Sequence, residues 1–331
     1  MRCSMNSKQP LFQITNNMID YVAEIAELVG KMSLSDCVSN NASLCRGNRI
    51  RTIYSSLAIE KNTLGLEQVI AVLNGKQIFA PPKDIAKVKN TYELYERLDK
   101  LNPYSVDDLL MAHGIMMHGL VEESEKFRFH PTGVMNQEGY IVHCGVLPQY
   151  MSDLVKELLD WTKNSDLHML IRSCVFQYEF DRIHPFIDEN RRLGRLWHTL
   201  LLSQWNSDFA WIPVDSIIYS KQKDYYAAIN KSNDTGESTV FIEFMLSVIK
   251  TALVETISRM NGMEDKPTDK ASIRSSKIES CLKNHNYIMN ANVRALCDVS
   301  AATANRILGR LVEEGTLIKC RVNGHWAYQL M

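Results

Sequence analysis

The segment Ile183-His184-Pro185-Phe186-Ile187-Asp188-Glu189-Asn190-Arg191-Arg192-Leu193-Gly194-Arg195 runs directly into Leu196-Trp197-His198-Thr199-Leu200-Leu201-Leu202. The apolar run needs a core to bury it, and the proline and polar residues ahead of it mark a loop, so the pattern predicts a loop that becomes the start of a buried helix. Backbone N–H groups at a helix start point outward without intrahelical acceptors, and the helix dipole adds partial positive charge there. Arg191, Arg192 and Arg195 stand in the first turns. Arg192 and Arg195 share a helical face, as two arms gripping successive phosphates would.

Two further groups turn an anion site into a chemical one. Asp188 is placed to hold Mg²⁺ against a di- or triphosphate, because that ion takes one or two carboxylates plus phosphate oxygens and water. His184 precedes the site in what reads as an extended, proline-stiffened segment, where a neutral imidazole could accept a proton from an attacking hydroxyl. A core edge with a solvated arginine face would account for each residue singly; it does not account for base, carboxylate, amide and paired arginines in this order.

The rest of the chain supplies a helical body. At 331 residues and 45% hydrophobic content, length favours two domains over one. With 37 basic and 38 acidic side chains, affinity for nucleic acid or membrane must be local. None of the eight cysteines forms a Cys-x-x-Cys pair, which argues against a zinc site or a disulfide framework. The N-terminal residues lack the apolar stretch of a secretory signal and no segment approaches membrane-spanning length, so the expected location is the cytoplasm.

Helical periodicity is read from Ile14 to Leu34, Ala42 to Glu60, Asp84 to Leu98, Gln149 to Lys163, Asp166 to Phe180 and Phe241 to Met260. Ser105 is a cap for a helix carrying Leu109, Leu110, His113, Met116 and Met117, and Pro213-Val214-Asp215-Ser216 opens one carrying Tyr225 and Tyr226. A Glu138-Gly139 pair between the apolar stretches around Val134 and Tyr140 to His143 predicts a small β-hairpin. The polar stretch Asn261 to Lys270 is the best linker. Beyond it, a helix from about Ser272, a second at Val293 to Cys297, a third that Ser300 can cap, and a hairpin turning at Asn323-Gly324 have the pattern of a winged helix.

The segment His184 to Arg195 resembles the Fic family motif, His-x-Phe-x-Asp/Glu-Gly-Asn-Gly/Lys-Arg-x-x-Arg. The similarity extends to the hairpin, to Ser56-Leu57-Ala58-Ile59-Glu60 and to the C-terminal end, roughly residues 10 to 331. It implies a mainly α fold: a Fic-type helical bundle with a small β-hairpin flap, plus a C-terminal winged-helix domain. The corresponding boundaries are 1–100 for an N-terminal helical region with an inhibitory motif, 101–262 for the Fic core and 263–331 for the winged helix. The implied activity is transfer of AMP from ATP to a protein hydroxyl, with ATP and Mg²⁺ as cofactors.

By this resemblance His184 is the general base, Asp188 holds Mg²⁺, Asn190 and the loop amides cradle phosphate, Arg192 and Arg195 bind the triphosphate, and Phe186 is a buried anchor. Tyr225-Tyr226 falls where the family carries an aromatic near the adenine, while paired tyrosines on a helix also read as packing. Tyr140, Ile141, Val142 and His143 form the flap that docks a target segment by strand addition. The chain departs from the motif at two positions, both counted with the nucleotide-binding residues: Glu189 stands where the first glycine is usual and Arg191 at the second small position. At positive φ a non-glycine residue costs about 1–2 kcal/mol, and Glu189 brings negative charge toward a triphosphate.

Ser56-x-x-x-Glu60 resembles the family's inhibitory motif, with Lys61 where glycine or asparagine is usual. It implies that Glu60 pairs with Arg195 and takes the room of the γ-phosphate. Residues 270–331 hold nine basic and four acidic side chains, a net of +5 (9 − 4), with Arg306 and Arg310 on one face of the third helix and Lys319 and Arg321 in the wing. The expected partners are therefore an unidentified target protein, DNA or protein at the winged helix, and a second copy of the chain, with no membrane. The alternative reading is a catalytically degenerate Fic-like regulator binding DNA or a protein through that domain. His113, His118 and His130 show no spacing that argues for metal, and Met111, Met116 and Met117 read as core.

Overall fold

The computed structural model describes residues 9–34, 38, 41–121, 124–131, 133–135, 141–144, 146–260, 278, 281–282, 287–297, 299–313, 316–322 and 325–330. Two compact units account for the chain, Met1–Met260 and Asn261–Met331. The first contains α1 (Asn16–Leu34), α2 (Ala42–Ile59), α3 (Leu66–Leu73), α4 (Pro82–Glu96), α5 (Val106–Met117), β1 (Gly133–Met135), β2 (Ile141–Cys144), α6 (Met151–Asn164), α7 (Met169–Ile183), α8 (Asn190–Trp205), α9 (Val214–Ser220), α10 (Gln222–Thr235) and α11 (Thr239–Met260). Among the described residues, no helix is long and apolar enough to cross a membrane.

Helices α7 and α8 lie between two apolar clusters, and their sequences explain why. Leu170, Cys174, Val175 and Tyr178 of α7 face a cluster built with α1, α9, α10 and α11, while Phe176, Phe180 and Ile183 face one built with α2 to α6. Apolar residues on two faces of one helix place it between two cores. Helix α8 contributes Leu193, Leu196, Trp197, Leu200 and Leu201 to the second cluster. It packs close to α7 at Gly194, where a Cβ would lie 3.3 Å from the Phe180 ring. The functional loop, residues 184–189, thus hangs between the two most buried helices of the unit.

Local signals set the helix ends. Asn41 caps α2 by accepting from Leu44 N–H at 2.9 Å, and Ser105 caps α5 by accepting from Asp108 N–H at 3.1 Å. The helix expected to open at Pro213 and carry Tyr225 is broken at Lys221 into α9 and α10. Helix α1 continues past Gly30 to Leu34, and α3 has no counterpart among the helices read from periodicity. The hairpin pairs Val134 with His143 and Met135 with Ile141 across a bulge; Tyr140 and Gly139 lie outside the described residues.

In the second unit, α12 (Asn290–Cys297) and α13 (Ala301–Glu313) precede the antiparallel pair β3 (Leu317–Val322) and β4 (His325–Leu330). Ile288 joins the pair's edge through reciprocal backbone bonds with Tyr328, both 2.9 Å. Ser300 caps α13, accepting from Thr303 N–H at 3.3 Å. The linker 261–270 and the turn at Asn323-Gly324 lie outside the described residues.

Candidate functional site

The site begins where α7 stops. Pro185 offers no N–H and excludes right-handed helix at the residue before it. His184 is nevertheless not extended, as the sequence pattern suggests, but left-handed at φ 53° and ψ 58°, with its N–H donating to Phe180 O at 3.0 Å. That conformation turns the chain back sharply, and Arg128 holds it. The guanidinium donates to His184 O at 2.7 Å, to His130 O at 2.9 Å and to Val146 O at 2.7 Å, while the Arg128 N–H donates to Pro185 O at 2.9 Å. Arg128 is 2% exposed. It ties the loop at His184 to the segment leaving β2, and no sequence motif singles it out.

Burial pulls the His184 pKa below its ordinary value, Arg191 and Arg128 act in the same sense, and Asp181 opposes them. The imidazole is therefore neutral at neutral pH, the form a general base needs.

The loop is closed from inside. Phe186 is fully buried, stacked on His113 with centroids 3.8 Å apart and planes within 6°. Asn190 accepts from Phe186 N–H and donates to Phe186 O, both at 2.9 Å. Both ends of the amide expected to cradle phosphate are thus used to clasp the loop. His113 also faces the Asp188 carbonyl at 3.4 Å, and burial brings its pKa down to about 4. The sequence gives it no spacing that argues for metal, and it is the buried shelf under Phe186.

Asp188 is exposed, and its Oδ1 accepts from Glu189 N–H at 2.8 Å. One exposed carboxylate at a helix start suits a Mg²⁺ that arrives with nucleotide phosphates. Among the described residues no group of three or more His, Cys, Asp or Glu could hold a metal without them.

Glu189 has φ 64° and ψ 15°, left-handed at the position where the resembled motif carries glycine. Its carboxylate is 3% exposed and reaches Arg192 Nη1 and Lys87 Nζ, each at 2.7 Å. These cations hold Glu189 below the usual carboxylate range against the opposing effect of burial. Arg192, expected to grip a phosphate, also donates to Thr91 Oγ1. Arg191 does not pair with Glu189: its side chain, 42% exposed, pairs with Asp181 at 3.2 Å and lies over the Tyr226 ring at 5.6 Å.

Arg195 is held from the other side. Its Nη1 meets Glu60 Oε1 at 2.8 Å, its Nη2 donates to Ser56 O at 2.9 Å, and its Nε lies 3.4 Å from Asp215 Oδ2. Asp215 is 3% exposed, and burial raises its pKa while Arg195 lowers it. Glu60 caps α2, and Lys61 follows at φ 62°, which accounts for the usual glycine or asparagine there. Gln222 and Tyr226 of α10 donate to Ile59 O at 3.0 and 3.4 Å, fixing the helix end.

The structure brings Ser56, Glu60, His184, Asp188, Glu189, Asn190, Arg191, Arg192 and Arg195 around the start of α8. Tyr225 is a core side chain, 2% exposed against Phe241 and Phe244, with its hydroxyl 3.4 Å from Gln177 Nε2; its half-buried neighbour Tyr226 faces Arg191. Ile141, Val142 and His143 lie on β2. Lys87, Thr91, Arg128, His113, Asp181 and Asp215 complete the site without a sequence motif, being set by which helices meet.

The Fic/DOC family model matches residues 103–202. Protein adenylyltransferase fic-1 of Caenorhabditis elegans is 25% identical over 249 residues, which is 69% of this chain and 46% of that protein. Protein adenylyltransferase Fic of Nematostella vectensis is 28% identical over 204 residues, 58% of this chain and 45% of that one. The chain thus spans about half the length of the curated relatives it matches. Among solved structures, a fragment of C. elegans Fic-1 shares the fold at a TM-score of 0.62 and 20% identity, covering 75% of this chain and 74% of that one. A Fic family protein from Desulfovibrio desulfuricans G20 superposes with a TM-score of 0.71 at 33% identity, covering 98% of both chains. A match of that extent, carried through helices on both sides of the loop, makes this chain a member of the Fic family.

Proposed function

We propose that the protein is an adenylyltransferase that moves AMP from ATP to a hydroxyl of a target protein or of itself. The observation that carries this reading is the placement of His184, held by Arg128 at the end of α7, next to the amides and arginines that open α8. The hydroxyl oxygen attacks the α-phosphorus, the bond to the bridging oxygen breaks, pyrophosphate leaves, and the hydroxyl proton passes to His184. Such an in-line transfer needs positioning and charge stabilisation above all. The open amides of α8's first turn and Arg195 meet the phosphates, with Asp188 in place to hold Mg²⁺, which neutralises phosphate charge when bound. The names of the relatives support the same chemistry.

In this reading Glu60 is a brake: its carboxylate occupies Arg195 at 2.8 Å, and Ser56 steadies the pair. The β1–β2 hairpin is the flap on which a target strand pairs. The C-terminal unit is a winged helix, with exposed Arg306 on α13 and with Lys319 and Arg321 flanking Trp326 at 4.2 and 4.7 Å. Its net positive charge suits DNA phosphates, and an acidic protein face is the competing partner. ATP-derived label should appear with Glu60→Gly in Mg²⁺ and vanish when His184→Ala is added. If Glu60→Gly neither labels itself nor binds ATP better than the parent, the reading fails.

A second reading has an observation of its own. Glu189 sits on Arg192, so a chain that no longer transfers AMP and acts as a regulator through its winged helix is the alternative. Salt-dependent DNA binding without any label in the Glu60→Gly form would favour it.

A further inference from the structure

The start of α8 already holds an anion, and it belongs to the chain. Glu189 is 7% exposed, and its two carboxylate oxygens are divided between two cations, Oε2 on Arg192 and Oε1 on Lys87, each at 2.7 Å. Lys87 comes from α4, so the carboxylate joins a helix from another part of the unit to the loop. The backbone at φ 64° is one that favours glycine, so the carboxylate is kept against local preference. The Nη1 of Arg192 that a phosphate oxygen would meet is already taken by this carboxylate, and its Nη2 donates to Thr91 Oγ1.

We propose that Glu189 is a resident anion standing in for one phosphate on Arg192, and that it determines how many phosphates the nucleotide site accepts. This rests on the nucleotide-site reading given above. A triphosphate must push the carboxylate off Arg192 or lie beside it in a poorly solvated site, where like charges repel strongly. A nucleoside without phosphates meets neither obstacle. With Glu189 removed, Lys87 loses its carboxylate and becomes a cation available to the phosphate chain.

Calorimetric titration of adenosine, ADP and ATP, with Mg²⁺, into Glu60→Gly and into Glu60→Gly/Glu189→Gly tests this, since the first substitution removes the Glu60 carboxylate from Arg195. Removing Glu189 should leave adenosine affinity within about twofold, raise ADP affinity, and raise ATP affinity most, by roughly tenfold or more. Adding Lys87→Met to the double variant should then cost ATP binding more than adenosine binding. Glu189→Gln keeps the side-chain bulk and removes its charge; it should give the same ordering, which covers failure of the glycine form to fold. Equal changes for all three ligands, or no change for ATP, would overturn the proposal while leaving a nucleotide site standing. Absence of binding by every folded variant would instead remove the nucleotide-site reading, and this inference with it.

Discussion

Arg192 and Arg195 lie three residues apart on one helix and are equally buried, each 1% exposed, yet their carboxylates come from different places. Arg195 is held by Glu60 at the end of α2, with Ser56 and Asp215 alongside. Arg192 is held by Glu189 from its own loop, with Lys87 and Thr91 of α4 behind it. The first contact crosses between elements, and its carboxylate is 24% exposed, so a shift of one helix end breaks it. The second is built into the loop, its carboxylate 3% exposed, and no rigid movement of a neighbour releases it. One arginine carries a removable cover and the other a fixed one.

The largest expected effect separates this occupancy from chemistry. In a Glu60→Gly background, His184→Ala should lower the rate of AMP transfer by roughly 10²–10⁴-fold, the usual range for a lost general base. ATP affinity, governed by the arginines, should move far less; rate and calorimetry on the same preparations check both. If binding collapses together with rate, His184 belongs to the anion site and the division drawn here is wrong.

Stability ranks the two arginines next. Arg195→Met strands Glu60 and the buried Asp215, and breaking a buried pair in this way costs about 3–5 kcal/mol. Arg192→Met leaves Glu189 with Lys87, so its cost should be smaller, about 1–3 kcal/mol. Midpoints of denaturant unfolding for the two variants give the comparison directly. Equal losses would mean that Asp215 contributes nothing to the difference.

The shelf beneath the loop has a pH signature. Burial holds His113 at about 4, below the 6.5 of an unfolded histidine. As pH falls from about 6.5 toward 4, the unfolded chain binds a proton there that the folded chain does not, so stability is present above that window and is lost through it. His113→Phe keeps a ring on Phe186 and should remove part of this acid sensitivity, on the order of 2 kcal/mol. His198, 2% exposed and brought down to about 3, acts in the same direction, so the slope should shrink without vanishing. An unchanged slope in melting temperature between pH 7 and 5 would show that His113 titrates normally.

What could be read from sequence was what periodicity and local chemistry encode. The long helices, the caps at Ser105 and Ser300 and the hairpin near Val134 all follow from neighbouring residues, whereas α7 runs to Ile183, past the end at Phe180 that periodicity suggests. The left-handed turn at His184 was not legible, because it depends on Arg128 closing the loop from a distant segment. Nor were the actual partners of the charged residues. Arg191 finds Asp181, and Glu189 finds Lys87, through the packing of α7 and α4 against the loop. Asp215 looks like an ordinary residue in a helix's first turn until α9 brings it to Arg195. Motif residues announce a site, whereas the groups that set its charge balance are chosen by tertiary structure.

The smallest effect tests the fixed cover at its backbone. Two costs are combined at Glu189: a left-handed conformation that disfavours side chains, and ion pairs that favour this one. Glu189→Ala removes the pairs and keeps the strain; Glu189→Gly removes both. The glycine form should therefore be more stable than the alanine form by about 1 kcal/mol, after allowing for glycine's greater freedom when unfolded. The same pair of substitutions at Glu60, which lies at φ −95°, should rank the other way, alanine above glycine. Opposite rankings at the two positions, read from unfolding midpoints, would establish that the carboxylate on Arg192 is maintained against its own backbone while the one on Arg195 is not. Matching rankings would mean that the loop relaxes away from φ 64° once the ion pairs are gone, and the cover on Arg192 would then be less fixed than its burial implies.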